Sequence, residues 1–93
     1  MQIELRTVSN WLLQHWDPIG VSSYPEAHDE YNGYVPTIVR FLDNGADPNR
    51  IADYLLYVEA ERMGLPGRPE RNLEAARKIV ELWSEYVAQY RGD

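Results

Sequence analysis

The chain has no cysteine, which excludes disulfide staples, thiolate metal sites and a cysteine nucleophile. Its longest unbroken apolar run, Tyr54-Leu55-Leu56-Tyr57-Val58, is five residues. A membrane-spanning helix needs about 20. The opening Met1-Gln2-Ile3-Glu4 lacks the basic start and apolar stretch of a secretory leader, so a cytoplasmic location and no membrane partner are expected. No glycine-rich phosphate loop is present, and Ser9, Ser22, Ser23 and Ser84 have no glycine-flanked elbow. Positive charge is scarce where negative charge is not: residues 1–60 hold nine acids and three bases, whereas residues 61–93 hold six of each. The net charge of −6 repels phosphate backbones, so nucleic acid is not an expected partner.

What is present is helical. At 93 residues the chain suits a single helical domain, 1–93, with one core. Leu5, Val8 and Leu12, with Trp11 beside them, step by three and four and predict a helix over about 3–15, with Arg6, Ser9, Asn10 and Gln14 on its outer face. It must stop by Trp16, because Pro18 pushes the preceding residue out of the α region. Trp16-Asp17-Pro18-Ile19-Gly20-Val21 then reads as a corner. Asp, Pro and Gly take the first, second and fourth places of a type I turn, and the Asp side chain is expected to bond the backbone two residues on. Residues 17–28 form a loop of about 12 residues, longer than a compact domain usually needs. Ser23 and Glu26 have the spacing of a capping box within it.

Tyr31, Val35, Ile38 and Leu42 continue at helical steps through Pro36, favouring one kinked helix over 29–43. The alternative is a helix that starts near Tyr34 with Pro36 in its first turn. Asp43-Asn44-Gly45 gives a left-handed exit, and Asp47-Pro48 starts a third helix that Gly64 ends. From Pro69 the apolar residues Leu73, Ala76, Val80, Trp83, Val87 and Tyr90 mark a last helix of about 20 residues, or about 30 Å. The expected fold is all-α: a compact antiparallel four-helix bundle-like domain with a long loop after the first helix. Val8, Leu12, Ile38, Leu42, Leu55, Val80 and Trp83 should share its core.

Chemistry is harder to find. His15, on the edge of an apolar face, reads as a packed or half-exposed side chain rather than a ligand. His28, Asp29 and Glu30, with Asp17 and Glu26, gather nitrogen and oxygen donors near the corner. Adjacent helical residues point about 100° apart, however, and cannot all converge on one ion. No metal, cofactor or catalytic residue is therefore assigned. Seven tyrosines and three tryptophans accompany the single phenylalanine. Such rings bury an apolar body and keep a polar tip wet, which suits interfaces and shallow cores alike. Trp16, Asp17, Tyr24, Glu26, Asp29, Glu30, Tyr31 and Tyr34 combine acids and aromatics in a stretch with no Lys or Arg, the mixture a surface for a basic protein partner would use.

Trp16-Asp17-Pro18-Ile19-Gly20-Val21, then Asp29-Glu30-Tyr31 and Tyr34, then a helix ending at Gly45, resembles a group of small bacterial helical proteins of unknown function. The likeness covers mainly residues 11–65. It implies an all-α fold and a bacterial origin, and carries no activity. Where that group usually has Asp after the Tyr, this chain has Asn32, one carboxylate fewer. Phe41 to Asn49 resembles the end of an ankyrin repeat, but nothing in the chain repeats at the required period of about 33 residues. In size and acidity alone the chain is similar to immunity proteins that block secreted toxins. Two expectations follow: a non-catalytic protein-binding or regulatory module, toxin-immunity-like in kind, or a metal-assisted or small-molecule-binding enzyme centred on Asp17, His28, Asp29 and Glu30.

Overall fold

Local chemistry sets where most of the helices begin and end. In the computed structural model, which describes residues 2–21, 23–27 and 30–90, four α-helices follow one another: α1 (Gln2–His15), α2 (Val35–Asp43), α3 (Pro48–Tyr57) and α4 (Pro69–Tyr90). No strand occurs among the described residues, and no helix there is long and apolar enough to cross a membrane.

Asp47 holds an extended backbone and accepts the Arg50 N–H at 3.1 Å, with Pro48 in the first turn of α3, as Asp47-Pro48 implied. Such a cap is worth about 1 kcal/mol. At the end of α2, Gly45 takes φ 73°, its N–H bonds the Leu42 carbonyl at 3.1 Å, and the Ala46 N–H bonds the Phe41 carbonyl at 3.0 Å. That pair of bonds closes the last turn and needs a residue at ease in the left-handed region, which glycine is.

The start of α2 corrects the favoured expectation. A single kinked helix over 29–43 is not formed; Asn32–Tyr34 is a 3₁₀ turn and the α-helix begins at Val35. Pro36 falls in the first turn, where its missing N–H has no helical partner to lose. The periodicity carried back to Tyr31 because Tyr31 is buried, but its burial comes from contacts outside the helix.

Beyond Tyr57 the third helix widens into a π-helix, Val58–Arg62, closed by the Met63 N–H on the Val58 carbonyl at 3.0 Å. Gly64 then exits at φ 69°, so the stop is where the sequence set it. Val58 and Glu59, adjacent in the first turn of the π-helix, are both fully buried.

One core cluster joins the helices, with α4 lying along α3 and α1 touching both α2 and α4. Val8, Leu12, Ile38, Leu42, Leu55 and Trp83 are buried in it, and each large aliphatic side chain removed from water contributes about 1.5–3 kcal/mol. The apolar face of α4 is rotated from the expected one. Asn72, Ala75, Ala76, Ile79 and Trp83 are buried, Leu73, Val80 and Val87 sit half-buried at the margin, and Tyr90 is exposed. On α1, Leu13 is buried and so is Ser9, which was assigned to the outer face; its hydroxyl donates to Asn32 Oδ1 at 2.8 Å. His15 is exposed.

Candidate functional site

The corner after α1 is built from unusual backbone. The Leu12 carbonyl accepts from both the Trp16 N–H, at 3.0 Å, and the Asp17 N–H, at 2.9 Å, which ends the helix. Asp17 then turns the chain at φ 38°, the single non-glycine residue with positive φ among those described. A short polar side chain that bonds its own neighbourhood makes that conformation tolerable.

The turn closes through the Gly20 N–H on the Asp17 carbonyl at 3.2 Å. Asp17 Oδ1 does not bond the amide two residues on. It accepts the Val21 N–H at 2.8 Å and the Tyr31 hydroxyl at 2.8 Å, while the Ile19 N–H donates to the Tyr31 oxygen at 3.3 Å. Tyr31 is fully buried. Burial pushes its hydroxyl well above the ordinary tyrosine range, and the Asp17 carboxylate accepting its proton reinforces the effect, against the opposing Ile19 bond.

From Tyr31 the contacts continue across the core. The Trp16 ring lies 5.1 Å from the Tyr31 ring, and its indole N–H donates to Asn72 Oδ1 at 3.0 Å. The Asn72 amide donates to Glu59 Oε1 at 2.9 Å. Glu59 Oε1 also accepts the Arg68 backbone N–H at 3.2 Å, and Oε2 takes the Arg68 guanidinium through Nε at 3.1 Å and Nη2 at 2.7 Å. Arg68 directly precedes α4, so this buried carboxylate sits at the positive end of a helix dipole. Every buried side-chain nitrogen and oxygen among the described residues has a partner. The result is a polar spine that ties the corner, α3's π-helix and the start of α4 together.

Asp17 Oδ1 and both Glu59 oxygens are engaged by donors of the chain itself. Among the described residues no group of three or more His, Cys, Asp and Glu could hold a metal ion. His28 and Asp29 lie outside the described residues.

The residues singled out in the sequence therefore separate into two sets. Trp16 and Tyr31 are buried and Asp17 is half-buried, so they support the surface from beneath. Tyr24, Glu26 and Glu30 are exposed. Glu30 and the half-buried Tyr34 come together in a groove of about 380 Å³ lined also by Gly33, Thr37, Tyr54, Tyr57 and Arg62. Tyr54 and Tyr57 stack with ring centroids 6.2 Å apart, and Tyr54 meets the edge of Phe41 at 5.7 Å. Sequence reasoning missed Tyr54, Tyr57 and Arg62 because they stand on another helix. Two tyrosines three apart on one helix were the available signal.

Fold and site together define an all-helical protein whose buried polar groups join its helices and whose tyrosines and carboxylates stand at the surface around residues 24–34. No protein-family model matches the chain, nor does any curated protein or solved structure.

Proposed function

We propose that the chain is a non-catalytic protein-binding module, regulatory or toxin-immunity-like in kind. It docks a basic protein partner in the cytoplasm, without cofactor, metal, nucleic acid or membrane. The docking surface comprises Tyr24, Glu26, Asp29, Glu30 and Tyr34, extended by Tyr54 and Tyr57. An antiparallel bundle-like scaffold holds it, and kinship with the small bacterial helical proteins that share the Trp16–Val21 signature belongs to the same reading.

The observation that carries the reading is the division of labour around the corner. Trp16, Asp17 and Tyr31 are turned inward and hydrogen-bonded, while Tyr24, Glu26 and Glu30 are exposed in a stretch that holds no Lys or Arg. A rigid underside lowers the ordering cost of binding, and surface acids steer a cationic partner. Among the described residues Arg62 is the single base lining the Glu30 groove. The alternative enzyme centred on Asp17, His28, Asp29 and Glu30 has less support, because Asp17 Oδ1 is spent on Val21 and Tyr31.

The test is affinity capture from the source cell with the wild type and with the Glu26→Lys, Asp29→Lys, Glu30→Lys triple variant, followed by association kinetics. The expected partner is basic, its on-rate falls as salt rises, and the triple variant slows association about tenfold or more without unfolding. A partner that docks solely on residues 61–93, or an on-rate indifferent to salt and to all three reversals, overturns the proposal.

A further inference from the structure

Trp16, Tyr31, Glu59 and Asn72 are all buried, and their side-chain polar atoms are satisfied by one another or by Asp17 and Arg68. A buried polar group that loses its partner without reaching water bears the full cost of its desolvation. Lifting the corner alone takes the indole donor from Asn72 Oδ1. Lifting the start of α4 alone leaves that indole without an acceptor and leaves Glu59 a buried carboxylate stripped of Arg68 and Asn72. Each halfway state is therefore costlier per group released than one in which both ends reach water together.

The two ends are joined across the sequence by the bond from Trp16 to Asn72, 56 residues apart, and by the Trp16–Tyr31 ring contact. At the corner the Ile19 N–H donates to the Tyr31 oxygen at 3.3 Å and the Val21 N–H to Asp17 Oδ1 at 2.8 Å. At the junction before α4 the Leu65 N–H donates to the Glu59 carbonyl at 2.8 Å and the Arg68 N–H to Glu59 Oε1 at 3.2 Å. The end of α2 and the start of α3 close on their own neighbours instead, Gly45 on Leu42 and Arg50 on Asp47.

We propose that the corner around Asp17 and Tyr31 and the junction around Glu59 and Arg68 form one cooperative unit, opening and closing as a whole and separately from the middles of α2 and α3, with the Glu59–Arg68 pair as its latch. The Arg68 side chain is 31% exposed, so the latch lies within reach of solvent. The Tyr24 N–H bonds the Val21 carbonyl at 2.9 Å, which ties the exposed Tyr24 to the corner. Release of Arg68 thus frees the stretch that carries Tyr24, and only the effect of this on a partner rests on the docking proposal.

The experiment is native-state hydrogen exchange of the full chain, read by NMR across sub-denaturing urea, and it needs no partner. The amides of Ile19, Val21, Leu65 and Arg68 should share one opening free energy and one urea dependence, both smaller than those of Leu42 and Leu55 in the core. Arg68→Met should speed exchange at Ile19 and Val21 about tenfold or more, by the same factor as at Leu65. Tyr31→Phe, the milder change, should speed exchange at Leu65 and Arg68 about tenfold, matching Val21. Glu59→Gln in the Arg68→Met background should recover part of the protection at Val21. The proposal is overturned if Val21 is unmoved in Arg68→Met while Leu65 speeds up, or if Tyr31→Phe leaves Leu65 and Arg68 unchanged. Four amides that exchange in step with Leu55 at every urea concentration would overturn it too, because the unit would then open only with the whole fold.

Discussion

Replacing Asp17 by alanine tests whether the corner organises the chain. The side chain accepts from the Val21 amide and from the fully buried Tyr31 hydroxyl, both at 2.8 Å. Losing a carboxylate acceptor for a buried hydroxyl costs roughly 1.5–3 kcal/mol, and losing the amide bond costs about 1 kcal/mol. Alanine at φ 38° adds about 1 kcal/mol, because its Cβ crowds the following carbonyl without a polar group to compensate. Allowing for incomplete additivity, Asp17→Ala should destabilise by about 3–4 kcal/mol. For a domain of this size that lowers the melting temperature by roughly 15–25 °C.

Urea unfolding followed by tryptophan emission gives the free energy directly. Asp17→Asn keeps an acceptor and the left-handed tolerance, so it should cost only about 1–2 kcal/mol. In a Tyr31→Phe background the hydroxyl bond is already gone, and Asp17→Ala should then cost about 2 kcal/mol. The cycle thus predicts a coupling near 1.5 kcal/mol between the two residues. A coupling below about 0.5 kcal/mol, or an Asp17→Ala variant that melts like the wild type, would refute the reasoning.

Because the Tyr31 hydroxyl is raised above its ordinary 10.0 in the folded protein, its contribution is complete below pH 10 and declines as pH climbs beyond that. Stability measured from pH 8 to 12 should fall more steeply for the wild type than for Tyr31→Phe. Asn72→Ala leaves the Trp16 indole and Glu59 Oε1 short of a partner and should cost about 2–4 kcal/mol; denaturant titration reads the loss and the Trp16 emission should shift with it. Arg68→Met strips the guanidinium from a carboxylate that has no solvent exposure and should cost about 3 kcal/mol, with Glu59→Gln in that background recovering part. Titrating Zn²⁺ or Mn²⁺ into the protein should leave its melting temperature nearly unchanged, whereas a micromolar site lost in His28→Ala would restore the enzyme alternative.

Local chemistry made the helix ends legible. Asp47 caps the amide three residues on, Gly45 and Gly64 take left-handed exits, and all of these need only neighbours in the chain. The same holds for the break after Trp16 and for the length of α4. The turn at Asp17–Gly20 was readable too, but not the target of the Asp17 side chain. That carboxylate faces Tyr31, 14 residues away, and only folding brings them together.

Pro36 shows how periodicity misleads in the same place. Tyr31 belongs to the core through Asp17 and Trp16, not through the register of α2, so its helical spacing from Val35 suggested a longer helix than forms. The surface stretch Tyr24–Tyr34 was visible in composition, whereas Tyr54 and Tyr57 join it only because α3 packs nearby.

Ser9, Glu59 and Asn72 were invisible as core residues. A polar side chain is assigned to solvent unless its partner can be seen, and their partners stand 23, 13 and 56 residues away. The sequence by itself determined that the chain is helical, where its caps fall, and which apolar stripes must be covered, because those follow from bonds and spacings within a few residues. The tertiary structure decided which polar groups go inside and how far each apolar face is rotated. Burying a carboxylate or an amide is favourable only when distant donors and acceptors arrive together to satisfy it.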